Sequence, residues 1–331
     1  MKAAPTLIPG ADGDVQERLV EGLEAVDRRL REVVDHEDPF IAEAAGHLSN
    51  AGGKRFRPLL TLLSAQVAGS LNERVIEAAV GVELTHLASL YHDDVMDEAE
   101  LRRGVQSANV RYGNATSILV GDLLFGTASS VIADLGAEAV KIQAETFVRL
   151  CSGQIRDERP PAAGADAIEH YLSVLADKTG SLIATSARYG AMFGGASPEL
   201  VMTLASFGEQ LGTVFQLADD LLDISSDLDE SGKVPGADLR EGKATLPVLY
   251  AVSMATPQDA RLMELLSGPI ADPADVAEAV ALLRNHPAMQ AARDHTAELA
   301  ARTRELVDDI GDGAAVEALR ALVDGVADRS R

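Results

Sequence analysis

Hydrophobic residues recur every three or four positions along most of this chain, which is the period of an amphipathic α-helix. The pattern predicts helices over residues 15–35, 39–48, 59–68, 72–100, 115–135, 137–153 and 167–189. A further long helix begins after Ser197, a capping residue that is followed by Pro198 at the first helical position. No segment shows the alternation of a half-buried strand, so we predict an all-α fold.

Glycine and proline mark the breaks between these helices. Gly52 and Gly53 end one helix, and Pro58 opens the next. Residues 156–164 are a predicted surface loop. Residues 225–242 form a polar loop that is unusually long for a helical protein, and we expect it to act as a lid over a site.

The chain has 331 residues and is 47% hydrophobic, which is enough to bury a large helical core. We predict a flexible N-terminal stretch over residues 1–14, which lacks the apolar core of a signal peptide. Residues 15–331 are predicted to form a single domain, one large helical bundle with its active site in a central cavity. The most apolar window, residues 117–135, contains Asp122, so we predict no membrane span.

The charge balance narrows the possible partners. The chain has 29 Lys and Arg against 52 Asp and Glu, a net charge of −23. Such acidity disfavours binding to nucleic acids or anionic membranes, and an anionic substrate would need local clusters of Lys and Arg. Cys151 is the only cysteine, so no intrachain disulfide can form, and we expect a cytoplasmic location.

Two clusters of aspartates interrupt otherwise apolar helices. Asp93 and Asp97 are four residues apart near the end of a predicted helix, so they share one face. Their mutual repulsion, reinforced by the helix dipole, is relieved when a cation binds between them. The arrangement recurs at Asp219, Asp220 and Asp223. Carboxylates without neighbouring His or Cys ligands suit Mg²⁺ better than zinc, so we predict a magnesium site.

Basic residues lie beside the breaks, motifs and helix ends. They are Lys54, Arg57, Arg102, Arg103, Lys178, Lys233 and Lys243. Lys and Arg in such positions are suited to phosphate oxygens. A metal ion and cations around a diphosphate would stabilise it as a leaving group, which is the chemistry that generates an allylic carbocation.

These motifs resemble those of the trans-isoprenyl diphosphate synthases, the polyprenyl synthetase family. Gly53-Lys-Arg-Phe-Arg-Pro58 is similar to the family's GKxxRP motif, and His92-Asp-Asp-Val-Met-Asp97 with Arg102-Arg103-Gly104 resembles its first aspartate-rich motif. The later matches are Lys178-Thr179, the segment from Gly212 to Asp223, and the segment from Gly232 to Lys243. The matches run in order from about Gly52 to Pro247, and the resemblance implies the isoprenoid synthase fold.

The resemblance also implies a role for each matching residue. Three Mg²⁺ ions, bridged by an allylic diphosphate, would be held by Asp93, Asp97 and Asp219, with support from Asp94, Asp220 and Asp223. The allylic diphosphate would be bound by Arg102, Lys178, Thr179, Gln216, Lys233 and Lys243. Isopentenyl diphosphate would be bound by Lys54, Arg57, His86 and Arg103. The residues expected to act in catalysis are Asp93, Asp97, Lys178, Asp219 and Lys233.

The implied reaction is a head-to-tail condensation. The allylic C–O bond ionises, the double bond of isopentenyl diphosphate attacks the cation, and a proton passes to the released diphosphate. Water must be excluded, because it would quench the cation. The resemblance also implies a homodimer and, for a long product, delivery of that product to a membrane.

Three other functions would each be compatible with part of these motifs. Glu83-Leu-Thr-His86 matches half of a di-iron carboxylate site, but such a site needs a second copy of the motif, and the sequence has none. A terpene cyclase usually replaces the second aspartate cluster, and a non-catalytic subunit of a heteromeric synthase would be expected to have lost one. Because both clusters are intact, the sequence favours an active chain-elongating enzyme.

Product length should follow from the depth of the tunnel below the first aspartate motif. Thr85, Ala88 and Ser89, one and two turns before Asp93, are all small, which favours a long all-trans product beyond twenty carbons. A geranylgeranyl or farnesyl diphosphate synthase is the alternative. A deeper floor could come from Leu123, Leu124 or Phe125 on the neighbouring helix.

Overall fold

The computed structural model describes residues 7–225 and 235–328, which are almost entirely helical. The helices are α1 (Gly13–Val33), α2 (Pro39–Asn50), α3 (Phe56–Ala68), α4 (Glu73–Met96), α5 (Ala108–Tyr112), α6 (Asn114–Ala133), α7 (Ala137–Asp157), α8 (Ala167–Leu175), α9 (Ser181–Gly194), α10 (Pro198–Ser225), α11 (Ala237–Glu241), α12 (Leu246–Ser253), α13 (Ala260–Leu265), α14 (Pro273–Asn285), α15 (Pro287–Asp308) and α16 (Ala314–Ala327). The other elements are a π-helical turn (Ala176–Gly180), a 3₁₀ turn (Pro257–Asp259) and a hairpin of β1 (Leu101–Arg102) and β2 (Val105–Gln106).

Side-chain caps fix where several of the helices begin. The Asn72 side chain accepts hydrogen bonds from the first backbone N–H groups of α4. Asp38, which precedes Pro39, does the same for α2, and Asp166 does so for α8. Each cap satisfies backbone donors that have no partner within the helix, so the sequence itself determines these boundaries.

The chain divides into two compact units. Unit 1 comprises Met1–Val148, Ser181–Gly208 and Ile310–Leu319. In it α4 packs along α6, and α3 packs along α9. Helix α4 is buried on several sides, and its residues Leu84, Leu87 and Tyr91 belong to the core. The GKxxRP-like segment and the first aspartate motif lie in this unit.

Unit 2 comprises Arg149–Gly180, Glu209–Asp309 and Arg320–Arg331. Its core gathers apolar side chains from the end of α10 and from α11 to α15, and α12 packs along α15. Lys178, the second aspartate motif and Lys243 lie in this unit. The single domain expected over residues 15–331 stays a prediction.

The described part of the N-terminal stretch is packed against the protein. Ile8 is buried, and the Gln16 side chain accepts a hydrogen bond from the Leu7 backbone N–H at 3.1 Å. Residues 7 and 8 are therefore fixed, although flexibility was expected for the whole stretch up to residue 14.

Several predicted boundaries are wrong, among them the start of α3, which begins at Phe56 rather than at Pro58. The helix expected over residues 167–189 is interrupted by the π-helical turn, and α4 ends at Met96 rather than at residue 100. Helix α7 continues to Asp157, into the segment expected to be a loop. Each error arises where tertiary contacts, rather than the hydrophobic period, decide the local conformation. Of the predicted lid, residues 226–234 lie outside the described residues, and residues 237–241 form α11 rather than loop.

Helix α6 is, among the described residues, the one helix long and apolar enough to cross a membrane. This is weak support for a span, because core helices of water-soluble proteins have the same properties. In this chain α6 packs along α4, and Val120, Leu124 and Ala128 are buried there.

Candidate active site

The first aspartate motif lies at the C-terminal end of α4, as expected. Asp93 is half-buried, and Asp97, the C-cap residue, is exposed. The Asp97 backbone N–H donates to the Asp93 carbonyl at 2.8 Å, so the two side chains lie one turn apart. The last turn of α4 contains no basic residue, which leaves the helix dipole and these carboxylates to reinforce one another.

Asp94 has a different environment from its neighbours. It is fully buried, and Arg102 Nε donates to its Oδ1 at 2.6 Å. Its Oδ2 is enclosed and has no hydrogen-bond partner among the described residues. Arg102 lies on β1, so Asp94 fixes the hairpin against the end of α4. The supporting role in metal binding expected for Asp94 stays a prediction.

The residues expected to bind isopentenyl diphosphate all lie in unit 1. The pKa of Arg57 is lowered to about 10, chiefly by burial and also by neighbouring Arg103, whereas Glu83 opposes the shift. Burial and then the nearby arginines hold the pKa of His86 well below its ordinary value, so its imidazole is neutral. This crowding of positive charge favours an anionic ligand. Lys54 is exposed.

Arg103 is fixed by backbone carbonyls. Its Nη1 donates to the carbonyl of Leu48 at 3.0 Å and to that of Gly52. Its guanidinium lies so close to Gly53 that an added Cβ there would be 2.8 Å from Arg103 Cζ. An added Cβ would displace this guanidinium, and the positive φ of 145° at position 53 also favours glycine.

Arg55 is a structural residue that the sequence motifs did not single out, and its partner Glu83 was considered only as half of a di-iron motif. Arg55 donates to Glu83 Oε1 at 2.9 Å, to Asp27 Oδ1 at 2.8 Å and to the Ser49 carbonyl at 3.0 Å. Glu83 is 1% exposed. The pair joins the GKxxRP-like segment to α4. Glu83, whose motif resembled half of a di-iron site, therefore has a structural role.

The second aspartate motif lies near the end of α10. Asp219 is exposed, whereas Asp220 is buried and accepts hydrogen bonds from Tyr171 and Gln216. Burial raises the pKa of Asp220 to about 7, although these two hydrogen bonds oppose the rise. Asp223 accepts the backbone N–H groups of Ala237 and Asp238 at 3.1 Å each, and so caps α11.

Lys178 and Thr179 lie on the π-helical turn, a feature that often marks functional sites. Lys178 Nζ donates to Asp157 Oδ2 at 2.6 Å. The turn packs directly on Gly153 of α7, where an added Cβ would be 2.5 Å from the Lys178 backbone nitrogen. The end of α7 therefore positions this turn.

A cavity of about 500 Å³ within unit 2 gathers many of these side chains. Five of the predicted site residues line it: Lys178, Thr179, Gln216, Asp220 and Lys243. Among the other lining residues are Asp157, Tyr171 and Asp238, which were not predicted as site residues, and Asp157 was assigned to a surface loop. Burial, and then the neighbouring Asp223, raise the pKa of Asp238 to about 6. Lys233 lies outside the described residues.

The donor atoms fit a hard divalent metal that also binds phosphate. Around the first motif the available donors are carboxylate oxygens, because His92 Nε2 is directed to the Ile118 carbonyl at 3.1 Å. Within residues 7–225 and 235–328 no three His, Cys, Asp or Glu side chains are close enough to hold a metal by themselves. Mg²⁺ is typically bound by one or two carboxylates, with substrate phosphates and water completing its ligands.

A second cavity, of about 270 Å³, lies in unit 1. Thr85, a predicted chain-length residue, lines it together with Phe125 of α6 and Phe147 of α7, whose ring centroids are 4.4 Å apart. Ala88 is instead fully buried in the core, and Ser89 donates to the His86 carbonyl at 2.8 Å. Leu124, a candidate floor, is also a core residue.

Comparison with known proteins identifies the family. The sequence profile of the polyprenyl synthetase family matches residues 38–283. The chain therefore belongs to the polyprenyl synthetase family and is a prenyltransferase, which confirms the resemblance inferred from its motifs.

Individual relatives cover almost the whole chain. The nonaprenyl diphosphate synthase of Mycobacterium tuberculosis is 47% identical over 330 residues, 98% of either chain. The crystal structure of geranylgeranyl pyrophosphate synthase from Corynebacterium glutamicum, complexed with calcium and isoprenyl diphosphate, is 41% identical, with a TM-score of 0.86 over 96% of this chain and 98% of that one. A decaprenyl diphosphate synthase from Rhodobacter capsulatus is 34% identical, with a TM-score of 0.87 over 96% and 99%. The all-α isoprenyl synthase fold is thus confirmed.

Proposed function

We propose that this protein condenses isopentenyl diphosphate head-to-tail with an allylic diphosphate to give a long-chain all-trans polyprenyl diphosphate. The observation that carries the proposal is the 500 Å³ cavity, where Lys178 and Lys243 lie beside the second aspartate motif. Cations and carboxylates around one cavity suit a metal-bound diphosphate leaving group. The test is mass spectrometry of the products formed from isopentenyl diphosphate with dimethylallyl, geranyl, farnesyl or geranylgeranyl diphosphate as primer. Absence of any condensation product would overturn the proposal.

The proposed metal is Mg²⁺, as three ions held with the allylic diphosphate. Asp93, Asp97 and Asp219 would bind it directly. Their neighbours Asp94, Asp220 and Asp223 would act in support, because each accepts hydrogen bonds from the protein itself. When bound, the metal would withdraw charge from the departing diphosphate. Chelation by EDTA should abolish turnover, and added Mg²⁺ should restore it. Asp93→Ala should lose turnover even at high Mg²⁺ concentration.

The basic residues would hold the two diphosphates. Arg102, Lys178, Thr179, Gln216, Lys233 and Lys243 would bind the allylic one, and Lys54, Arg57, His86 and Arg103 would bind isopentenyl diphosphate. Lys178 would exchange its Asp157 partner for a phosphate oxygen. Neutral His86 would offer a hydrogen bond among arginines without adding further positive charge. Arg57→Ala should weaken binding of an isopentenyl diphosphate analogue, whereas Lys178→Ala should weaken binding of an allylic diphosphate analogue. Calorimetry with non-hydrolysable analogues measures both affinities.

Two sets of observations bear on product length, one favouring a long product and the other a shorter one. A long product is supported by the small side chain of Thr85 at the 270 Å³ cavity and by the relatives named nonaprenyl and decaprenyl diphosphate synthases. A shorter product is supported by the contact between the tilted rings of Phe125 and Phe147, which would limit the same cavity, and by the geranylgeranyl pyrophosphate synthase relative. The product spectrum decides between them.

The proposed assembly is a homodimer, formed through α6 and the unit 1 part of α7. Leu119 is 67% exposed and Val148 is 64% exposed, and Ile118, Leu123 and Val140 are also exposed. Asp122 is the only ionisable residue within α6, so this face carries little of the net charge of −23. A second copy could approach it without strong repulsion, whereas an anionic membrane would be repelled by the rest of the surface.

The proposed location is the cytoplasm, with a long product passed on to a membrane. The single half-buried thiol of Cys151 is compatible with a reducing compartment. Fractionation of cells that produce the tagged protein tests this location.

A further inference from the structure

The hydrogen bonds that Asp220 accepts come from two different helices of unit 2. It is 2% exposed, and each of its carboxylate oxygens has its own protein donor. The Tyr171 hydroxyl donates to Oδ2, and Gln216 Nε2 donates to Oδ1 at 3.2 Å. A buried carboxylate that is hydrogen-bonded at both oxygens is held in one orientation.

The two donors differ in where they lie. Gln216 is on α10 itself, one turn before Asp220, so it moves with the motif. Tyr171 is on α8, and it is the donor that fixes Asp220 from a different element. The same element continues into the π-helical turn, whose Lys178 pairs with Asp157. Tyr171, Lys178 and Asp220 all line the 500 Å³ cavity.

We propose that Tyr171 is a positioning residue for divalent-metal binding: its hydroxyl holds Asp220 in the orientation in which the second aspartate motif takes up metal with a diphosphate. This inference rests on the proposed function, because the metal and the diphosphate belong to that proposal. Tyr171 acts through Asp220 and does not need to touch the reacting atoms.

A variant that lacks only the Tyr171 hydroxyl measures the contribution of this hydroxyl to metal binding. Tyr171→Phe keeps the ring, which packs against the apolar core of unit 2, and leaves Asp220 with one donor instead of two. Groups that orient metal ligands typically contribute 10–100-fold to metal affinity. We therefore expect Tyr171→Phe to bind Mn²⁺ about 10–100-fold more weakly than the wild-type protein in the presence of inorganic diphosphate.

The experiment is a Mn²⁺ titration of the full-length protein with inorganic diphosphate, followed by electron paramagnetic resonance. The matched control is Tyr250→Phe in the same unit, whose hydroxyl bonds to His295 Nδ1 at 2.9 Å and which does not line the cavity. The control should bind Mn²⁺ like the wild type. Equal affinities for Tyr171→Phe and the wild type would overturn the inference.

A second variant keeps the inference testable if Tyr171→Phe does not fold. Asp220→Asn should also weaken Mn²⁺ binding, and unchanged affinity in this variant would equally overturn the inference. If both fold, the double variant should lose no more affinity than Asp220→Asn alone, because Tyr171 acts through that carboxylate. Additive losses would instead mean that Tyr171 acts independently.

Enzyme kinetics supply a readout that a general structural defect would not reproduce. Raised Mg²⁺ should restore kcat of Tyr171→Phe, and KM for isopentenyl diphosphate should remain unchanged. A wild-type protein that binds Mn²⁺ with diphosphate but makes no prenyl product would refute the proposed function, while the metal comparison would still decide the role of Tyr171.

Discussion

Arg55 shows how much of the site depends on one buried side chain. It joins the GKxxRP-like segment to α4 through Glu83, and both side chains are almost completely buried. Arg55→Met would leave the Glu83 carboxylate buried beside fewer positive charges. Loss of one partner of a buried ion pair typically costs about 3–5 kcal/mol. We expect the free energy of unfolding, measured by urea denaturation, to fall by about that amount.

Arg29→Met is the matched control for this prediction. Arg29 donates to Glu77 at 2.7 Å, but both side chains are more exposed than those of the Arg55 pair. An ion pair of this kind typically contributes at most about 1 kcal/mol. Equal losses in the two variants would contradict the structural importance assigned to Arg55.

The phenylalanine pair leads to a prediction about product length. Phe147→Ala removes one ring from the 270 Å³ cavity, so the growing chain could extend further before it meets a wall. We expect longer products, measured by mass spectrometry. Asp97 and the other motif residues are untouched, so the first condensation should persist in this variant. An unchanged product distribution in Phe147→Ala would exclude this cavity as the product tunnel.

Individual site residues were predictable to different degrees. Asp93 and Asp97 could be placed from sequence, because a four-residue spacing on a helix determines their relation. The partnership of Asp157 with Lys178 could not, because it joins residues 21 positions apart through tertiary packing. The contact of Tyr171 with Asp220 could not be predicted for the same reason. Nothing in the sequence indicates which aromatic hydroxyl donates to Asp220, and only the structure shows it.

Among the elements, the π-helical turn has the greatest consequence for the site. Its Lys178 backbone lies against Gly153, where no side chain can be accommodated. Gly153→Ala should displace the turn and weaken binding of an allylic diphosphate analogue, and overpacking of this kind typically costs about 1–3 kcal/mol. Calorimetry of analogue binding and thermal denaturation together measure both effects.

Gly325→Ala is the control for that substitution. Gly325 is also helical and lies in unit 2, but nothing lies within 4 Å of the position that an added Cβ would occupy. Alanine there should stabilise the helix by up to about 1 kcal/mol and leave analogue binding unchanged. Normal analogue binding by Gly153→Ala would show that the turn tolerates displacement.

Helix existence was predictable from the hydrophobic period, whereas the special conformations were not. The caps at Asn72 and Asp166 are local, so the sequence contains the information that begins α4 and α8. The π-helical turn depends on the approach of α7, and the β1–β2 hairpin depends on the bond from Arg102 to buried Asp94. Neither contact leaves a periodic signal in the sequence.

At the scale of the whole molecule, the exposed apolar face of α6 yields the prediction about assembly. Leu119→Glu would place a charge in the centre of the proposed homodimer interface. We expect light scattering after gel filtration to show a dimer for the wild type and a monomer for this variant. Val252→Glu, at a 55% exposed position in unit 2, should leave the dimer intact. A monomeric wild type would reject the proposed assembly.

Under the proposed function, the cap that Asp223 provides to α11 would connect ligand occupancy to the mobility of this short helix. Its carboxylate holds the amide protons of Ala237 and Asp238, at the start of the segment that leads to Lys243. A cation that bound this carboxylate would break its hydrogen bonds to the two backbone N–H groups, which would then be exposed to solvent. Hydrogen–deuterium exchange at the two amides should therefore accelerate when metal and diphosphate are added together. Faster exchange at the start of this short helix would then indicate that the site is occupied.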